Sequence, residues 1–106
     1  MSMGVVESEV SNWETTMAVN VLGVVKTIQA FVPVLQRSSE PSVMAITASV
    51  GGLVVGPHYL ADYCASKHAA VSISESLAQE LYRGGDTQIR VHVLCPCVVK
   101  SDLFGE

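Results

Sequence analysis

The stretch Val43-Met44-Ala45-Ile46-Thr47 decides how this chain is read. It is short, apolar and unbroken, with Pro41 before it and Gly51-Gly52 after it. A run of that length and composition reads as a buried parallel strand. Ser49 follows directly at its C-terminal end, and Gly51-Gly52 with Gly56-Pro57 mark a loop beyond it. A helix is predicted from about Leu60 to Tyr82, with Ala70, Ile73, Leu77 and Leu81 as its core stripe and Gly84-Gly85 as its stop. Ile89, Val91, Val93 and Leu94 then read as a second strand, ended by Pro96. A strand, a helix and a strand in that order make a crossover, expected to be right-handed with parallel strands.

Upstream of Val43 the periodicity is helical. Trp13, Met17, Val21, Val24, Ile28, Phe31 and Leu35 recur at steps of three and four. Ser11-Asn12-Trp13-Glu14 has capping-box spacing, so the helix is expected to begin there, with Ser8 as an earlier alternative cap. Pro33 is expected to kink or loosen its last turns. Arg37-Ser38-Ser39-Glu40-Pro41 reads as a polar connection. The predicted order is helix, strand, helix, strand: an α/β chain, taken as one domain over residues 1–106.

Composition narrows the function classes. The chain has 106 residues, 49% hydrophobic and only 15% charged, against a usual charged share of about 25%. Mean hydropathy is +0.40. Asn20, Lys26, Thr47, Ser49 and His92 break the apolar runs, so no segment is expected to supply the ~20 residues of a membrane span. No signal peptide is apparent, and a cytoplasmic chain is expected. The net charge is −4 and the six Lys and Arg are scattered, which gives nucleic-acid binding no electrostatic footing. Three cysteines do not make a disulfide framework. Cys95-Pro96-Cys97 has one intervening residue where a zinc knuckle or redox pair has two. No His or carboxylate pair has metal-ligand spacing on one helix face, and no metal is expected.

The chemistry converges on one edge. Tyr63 and Lys67 are four residues apart, so on a helix they share a face with Cβ atoms about 5–6 Å apart. A fixed ammonium beside a phenol favours the phenolate. In an open parallel sheet, ligands bind outside the carboxyl ends of the strands. Ser49 lies just past one such end, Pro96 just past the next, and Tyr63 and Lys67 begin the connecting helix at the same edge. An alcohol could hold a substrate oxygen beside the phenol, which is an arrangement for moving a proton on or off a carbinol oxygen.

An ordered set of segments now resembles the short-chain dehydrogenase/reductase family from about Trp13 to Ser101. Asn20-Val21-Leu22-Gly23 is similar to its N-x-x-G helix segment. Ile46-Thr47-Ala48-Ser49-Val50-Gly51-Gly52 resembles the strand that ends in its serine, and Tyr63-Cys64-Ala65-Ser66-Lys67 matches its Y-x-A-S-K form. Pro96-Cys97-Val98-Val99-Lys100-Ser101 resembles P-G-x-V-x-T. The resemblance implies part of a doubly wound, Rossmann-like parallel sheet and interconversion of a carbonyl and a secondary alcohol with NAD or NADP. It implies Tyr63 as general acid and base, and Lys67 as the group that favours the phenolate and binds the nicotinamide ribose. Ser49 would polarise the substrate carbonyl. Asn20 would position Lys67 through a water, completing a proton relay. Pro96, Val98 and Ser101 would border the nicotinamide. The two long helices would serve homo-oligomer formation or association with a relative.

The departures are specific. No G-x-x-x-G-x-G turn is present, and Asn12 and Asn20 are the only asparagines, so the family's N-N-A-G segment is missing too. Cys97 stands where the family places a glycine that lets backbone approach the cofactor. Ser101 replaces threonine and keeps a hydroxyl. The expectation is a C-terminal-half fragment or short isoform that binds NAD(P) poorly and turns over little by itself. The readings from other classes are a non-catalytic interaction or dimerisation protein, supported by the apolar excess, and a degenerate product without a stable solitary fold. His58 and Tyr59 are candidate substrate contacts, His68 is expected at the surface, and His92 is expected as a satisfied core histidine.

Overall fold

The computed structural model describes residues 4–48 and 61–95. Helix α1 spans Val10–Met17, a π-helical turn spans Ala18–Leu22, and α2 spans Gly23–Arg37. Strand β1 is Ser42–Thr47, α3 is Ala61–Arg83 and β2 is Ile89–Leu94. The helix, strand, helix, strand order read from the sequence is therefore the observed one, and the strands pair in parallel from Ser42↔Ile89 to Thr47↔Leu94.

The first helix starts differently from expectation. The residue at its N-cap is Glu9 in extended conformation, and no side chain caps the helix. The Ser11 hydroxyl reaches back to Glu9 at 3.5 Å, so the Ser11–Glu14 capping box does not form. Ser8 caps nothing either, because its oxygen accepts the Trp13 indole N–H at 2.7 Å. Indole N–H groups are rarely left unpaired when partly covered, and this one takes the nearest hydroxyl.

The core lies between the helices and the inner face of the sheet. Val32, Leu77, Leu81 and Ile89 are buried together, with Ile28, Leu35, Met44 and Val91 packed against them. Phe31 was expected in this stripe and is instead 57% exposed. Ile28 and Leu35 keep the places the count gave them. Steps of three and four from Ile28 both stay near one helix face, and it is Val32, four residues on, that enters the core. Helix α2 continues through Pro33 to Arg37.

Gly84-Gly85 stops α3, as read. Gly85 has φ +83°, the left-handed conformation that glycine adopts without a Cβ penalty. The Gly85 N–H donates to the Tyr82 carbonyl at 3.2 Å, and the Asp86 N–H to the Leu81 carbonyl at 2.9 Å. Those two bonds are the 5→2 and 6→1 pair of a Schellman motif. Gln36 Nε2 donates to Asp86 Oδ2 at 2.9 Å and ties the end of α2 to this turn.

Each strand buries one face only. Met44, Ile46, Ile89, Val91 and Val93 face the helices, while Val43, Ala45, Thr47, Arg90, His92 and Leu94 are exposed. The expectation of strands buried throughout is corrected, and so is the reading of His92 as a core histidine. Alternation fixes which side a residue is on; burial on the outer side depends on a layer that none of the described elements provides. A second correction concerns the first helical stretch. Val10–Arg37 runs 28 residues and is long and apolar enough, by length and composition, to cross a bilayer. Asn20 and Lys26 interrupt the apolar run without interrupting the helix, which is why counting unbroken apolar residues missed it. Val32 of this stretch lies in the core.

Candidate active site

The strands end together, at Thr47 and Leu94, and so define one carboxyl edge. The chain must return to the opposite end of the sheet to begin β2, and α3 carries it back. The first turns of α3 hold Tyr63 and Lys67. The Lys67 Nζ lies 5.4 Å from the centre of the Tyr63 ring, within cation–π range. Tyr63 is 38% exposed and Lys67 is half-buried, so the pair is open to solvent on one side. The four-residue spacing has thus produced the face expected of it. Ser49, Pro96, Val98 and Ser101, the remaining members of the predicted site, lie outside the described residues, as do His58 and Tyr59.

Asn20 sits in the π turn. A π turn inside an α-helix is rare and occurs often at functional sites. The Asn20 amide Nδ2 donates to Ser66 Oγ at 3.1 Å, across to the residue before Lys67. Ser66 is fully buried and donates its own hydroxyl to the Tyr63 carbonyl at 2.7 Å. The amide of Asn20 is therefore used on a hydroxyl of the facing helix, not on a backbone carbonyl of its own helix.

A second relay runs parallel to the first. Thr16 Oγ1 donates to Asp62 Oδ2 at 2.8 Å, and the other oxygen of Asp62 accepts the Tyr63 N–H at 2.9 Å. That N–H is one of the first four of α3, which have no partner within the helix. A carboxylate in the first turn also suits the positive end of the helix dipole. Thr16, Asp62 and Ser66 were not picked out from the sequence as functional. The usable signal was spacing: Thr16 precedes Asn20 by four, and Asp62 precedes Ser66 by four, so each pair shares a helix face.

His68 is exposed, as expected, and its Nδ1 lies 2.8 Å from the Cys64 carbonyl one turn back. Among the described residues no group of three or more His, Cys, Asp or Glu could hold a metal ion.

The short chain dehydrogenase family model matches residues 2–106. The chain belongs to that family. It is 40% identical over 88 residues to estradiol 17-beta-dehydrogenase 11 of Mus musculus, a match that covers 83% of this chain and 29% of the relative. It is similar to the crystal structure of a short chain dehydrogenase/reductase from Burkholderia phymatum in complex with NAD. The TM-score there is 0.83 and the identity 33%, with 96% of this chain and 37% of that one covered. A short chain dehydrogenase from Shigella flexneri complexed with NADP matches at TM-score 0.75 and 26% identity, covering 90% of this chain and 37% of that one. The chain spans about a third of the length of these family members. The expected partial α/β fold and the family's use of NAD or NADP both stand. The donor set fits one end of such a cofactor. A phenol and an ammonium side by side match the paired hydroxyls of a nicotinamide ribose, whereas the chain has no G-x-x-x-G-x-G turn for the pyrophosphate.

Proposed function

We propose that this chain carries the proton-transfer segment of an NAD(P)-dependent oxidoreductase that interconverts a carbonyl and a secondary alcohol. The observation that supports it most is the Tyr63 and Lys67 pair on α3, with Asn20 tied to Ser66 between them. Tyr63 gives its hydroxyl proton to the carbonyl oxygen in reduction and takes a proton from the carbinol in oxidation. Lys67 stands beside the phenol on the same helix face and reaches the ribose hydroxyls. Ser49 donates to the substrate oxygen and holds it beside Tyr63. Asn20 keeps Lys67 in place through a water and through the segment before it. Pro96, Val98 and Ser101 border the nicotinamide, which when bound supplies or accepts the hydride. We read residues 1–106 as a single partial domain. Among the described residues Cys64 and Cys95 are free thiols.

The test is a titration with NADH and NADPH, followed by energy transfer from Trp13, the single tryptophan. Weak saturable binding in the millimolar range that falls about tenfold in Lys67→Met supports the reading. No response at millimolar dinucleotide counts against it. Sustained NADPH consumption with a ketone would show that the segment is catalytically sufficient, contrary to the low activity proposed for it alone.

A second reading has its own observation. Between α2 and α3 runs a shallow groove lined by Val25, Ile28, Ile73 and Leu77 with Gln29 and Glu80 at its rim. An apolar groove along two long helices suits association with another copy or a family member. Sedimentation equilibrium decides this: a defined dimer, dissociated by Ile73→Glu, supports it, and a monomer at all concentrations rejects it.

A further inference from the structure

Tyr63 is held at both ends of its backbone, by two relays that leave the first helical stretch one turn apart. Asn20, through Ser66, reaches the Tyr63 carbonyl. Thr16, through Asp62, reaches the Tyr63 N–H. The four distances lie between 2.7 and 3.1 Å. We infer that Thr16 and Asp62 are positioning residues for Tyr63, forming the partner of the Asn20–Ser66 relay.

The argument is geometric. Tyr63 is the third residue of α3, where helices fray and where the backbone N–H has no intrahelical acceptor. One relay alone would fix the carbonyl side of the residue and leave its amide side to rotate. With both, the peptide planes on either side of the Tyr63 Cα are tied to a second helix, and the base from which the phenol projects is set before any ligand arrives. Small displacements of a reacting group cost large factors in rate, so a tie at the frayed end of a helix is placed where it matters most. Thr16 suits the task because its hydroxyl can donate across to the carboxylate, which has two oxygens to divide between Thr16 and Tyr63. The inference rests on the proposed role of Tyr63, but its test does not need that role to be right.

The experiment uses the 106-residue chain with 15N and ring-13C tyrosine. Amide exchange at Tyr63 and the 13C shift of its ring are compared in Thr16→Val, Thr16→Ser, Asp62→Ala and Asp62→Asn. Thr16→Val and Asp62→Ala are expected to speed Tyr63 amide exchange about tenfold, the effect of losing a charge-assisted hydrogen bond, and to move the ring resonance. Exchange at Leu77 and Leu81 should not change. Thr16→Ser keeps the hydroxyl and should restore both readouts, and Asp62→Asn keeps an acceptor oxygen and should restore most of the protection. Unchanged Tyr63 exchange in Thr16→Val and Asp62→Ala overturns the inference. Uniform loss of protection along α3 without rescue by serine also overturns it, since the contact would then hold the fold and not the tyrosine. Failure of NAD(P)H binding or of a Tyr63→Phe effect on catalysis would instead strike the function proposed above.

Discussion

The Lys67 ammonium stands 5.4 Å from the centre of the Tyr63 ring, one turn along the same helix. A surface cation–π contact stabilises a fold by only about 0.5–1 kcal/mol. Lys67→Met should therefore change the unfolding free energy by no more than ~1 kcal/mol in urea titrations. The same substitution should weaken dinucleotide binding by about tenfold, because hydrogen bonds from a charged donor are lost. A fall in stability without a fall in affinity would mark the pair as an ordinary helix contact.

Ser66 is fully buried and bonded on both sides. Ser66→Ala leaves the Asn20 amide and the Tyr63 carbonyl without that partner, at a cost of about 1–3 kcal/mol. Asn20→Ala removes the same interaction from the other end. A double-mutant cycle should give a coupling of about 0.5–1.5 kcal/mol. Additive single effects would mean that the 3.1 Å contact contributes nothing in solution.

Neighbouring residues should respond oppositely. Val32→Ala empties part of the core and should destabilise by about 1–3 kcal/mol. Phe31→Ala removes a larger side chain but an exposed one, and should stay within about 0.5 kcal/mol. Thermal melts of the two variants suffice, and the reverse order would put Phe31, not Val32, in the core.

Gly85 is the left-handed residue that closes α3. Nothing lies near a Cβ added there, so Gly85→Ala isolates the backbone cost. A loss of roughly 1–2 kcal/mol is expected, measured by denaturant titration. A neutral result would mean that the Schellman turn rearranges freely.

Both strands, both long helices and the glycine stop of α3 were legible in the residues, because each depends on local period or local φ. The Tyr63 and Lys67 face was legible for the same reason. The π turn was not, because i→i+5 bonding has no compositional mark. Nor was the choice of Val32 over Phe31, since steps of three and of four both suit a helical stripe. His92 was misread because exposure of a strand's outer side is decided by what else packs there. The start of α1 was misread because capping-box spacing shows only that the bonds could form. Thr16 and Asp62 escaped notice because their meeting is tertiary, between positions 46 apart in sequence.

The π turn at Ala18–Leu22 also gives the first helix a place of slack. Delete one residue there and ordinary α pitch can return, with Val32 still facing Leu77 and Ile89. Delete one anywhere between Gly23 and Val32, and every later residue swings by about 100° around the axis, which carries Val32 out of the core. The helix is thus tolerant of a change in length at the segment that holds Asn20 and intolerant of it just beyond. The packing of the fold and the placing of the amide can therefore be broken separately, by deletions only a few residues apart.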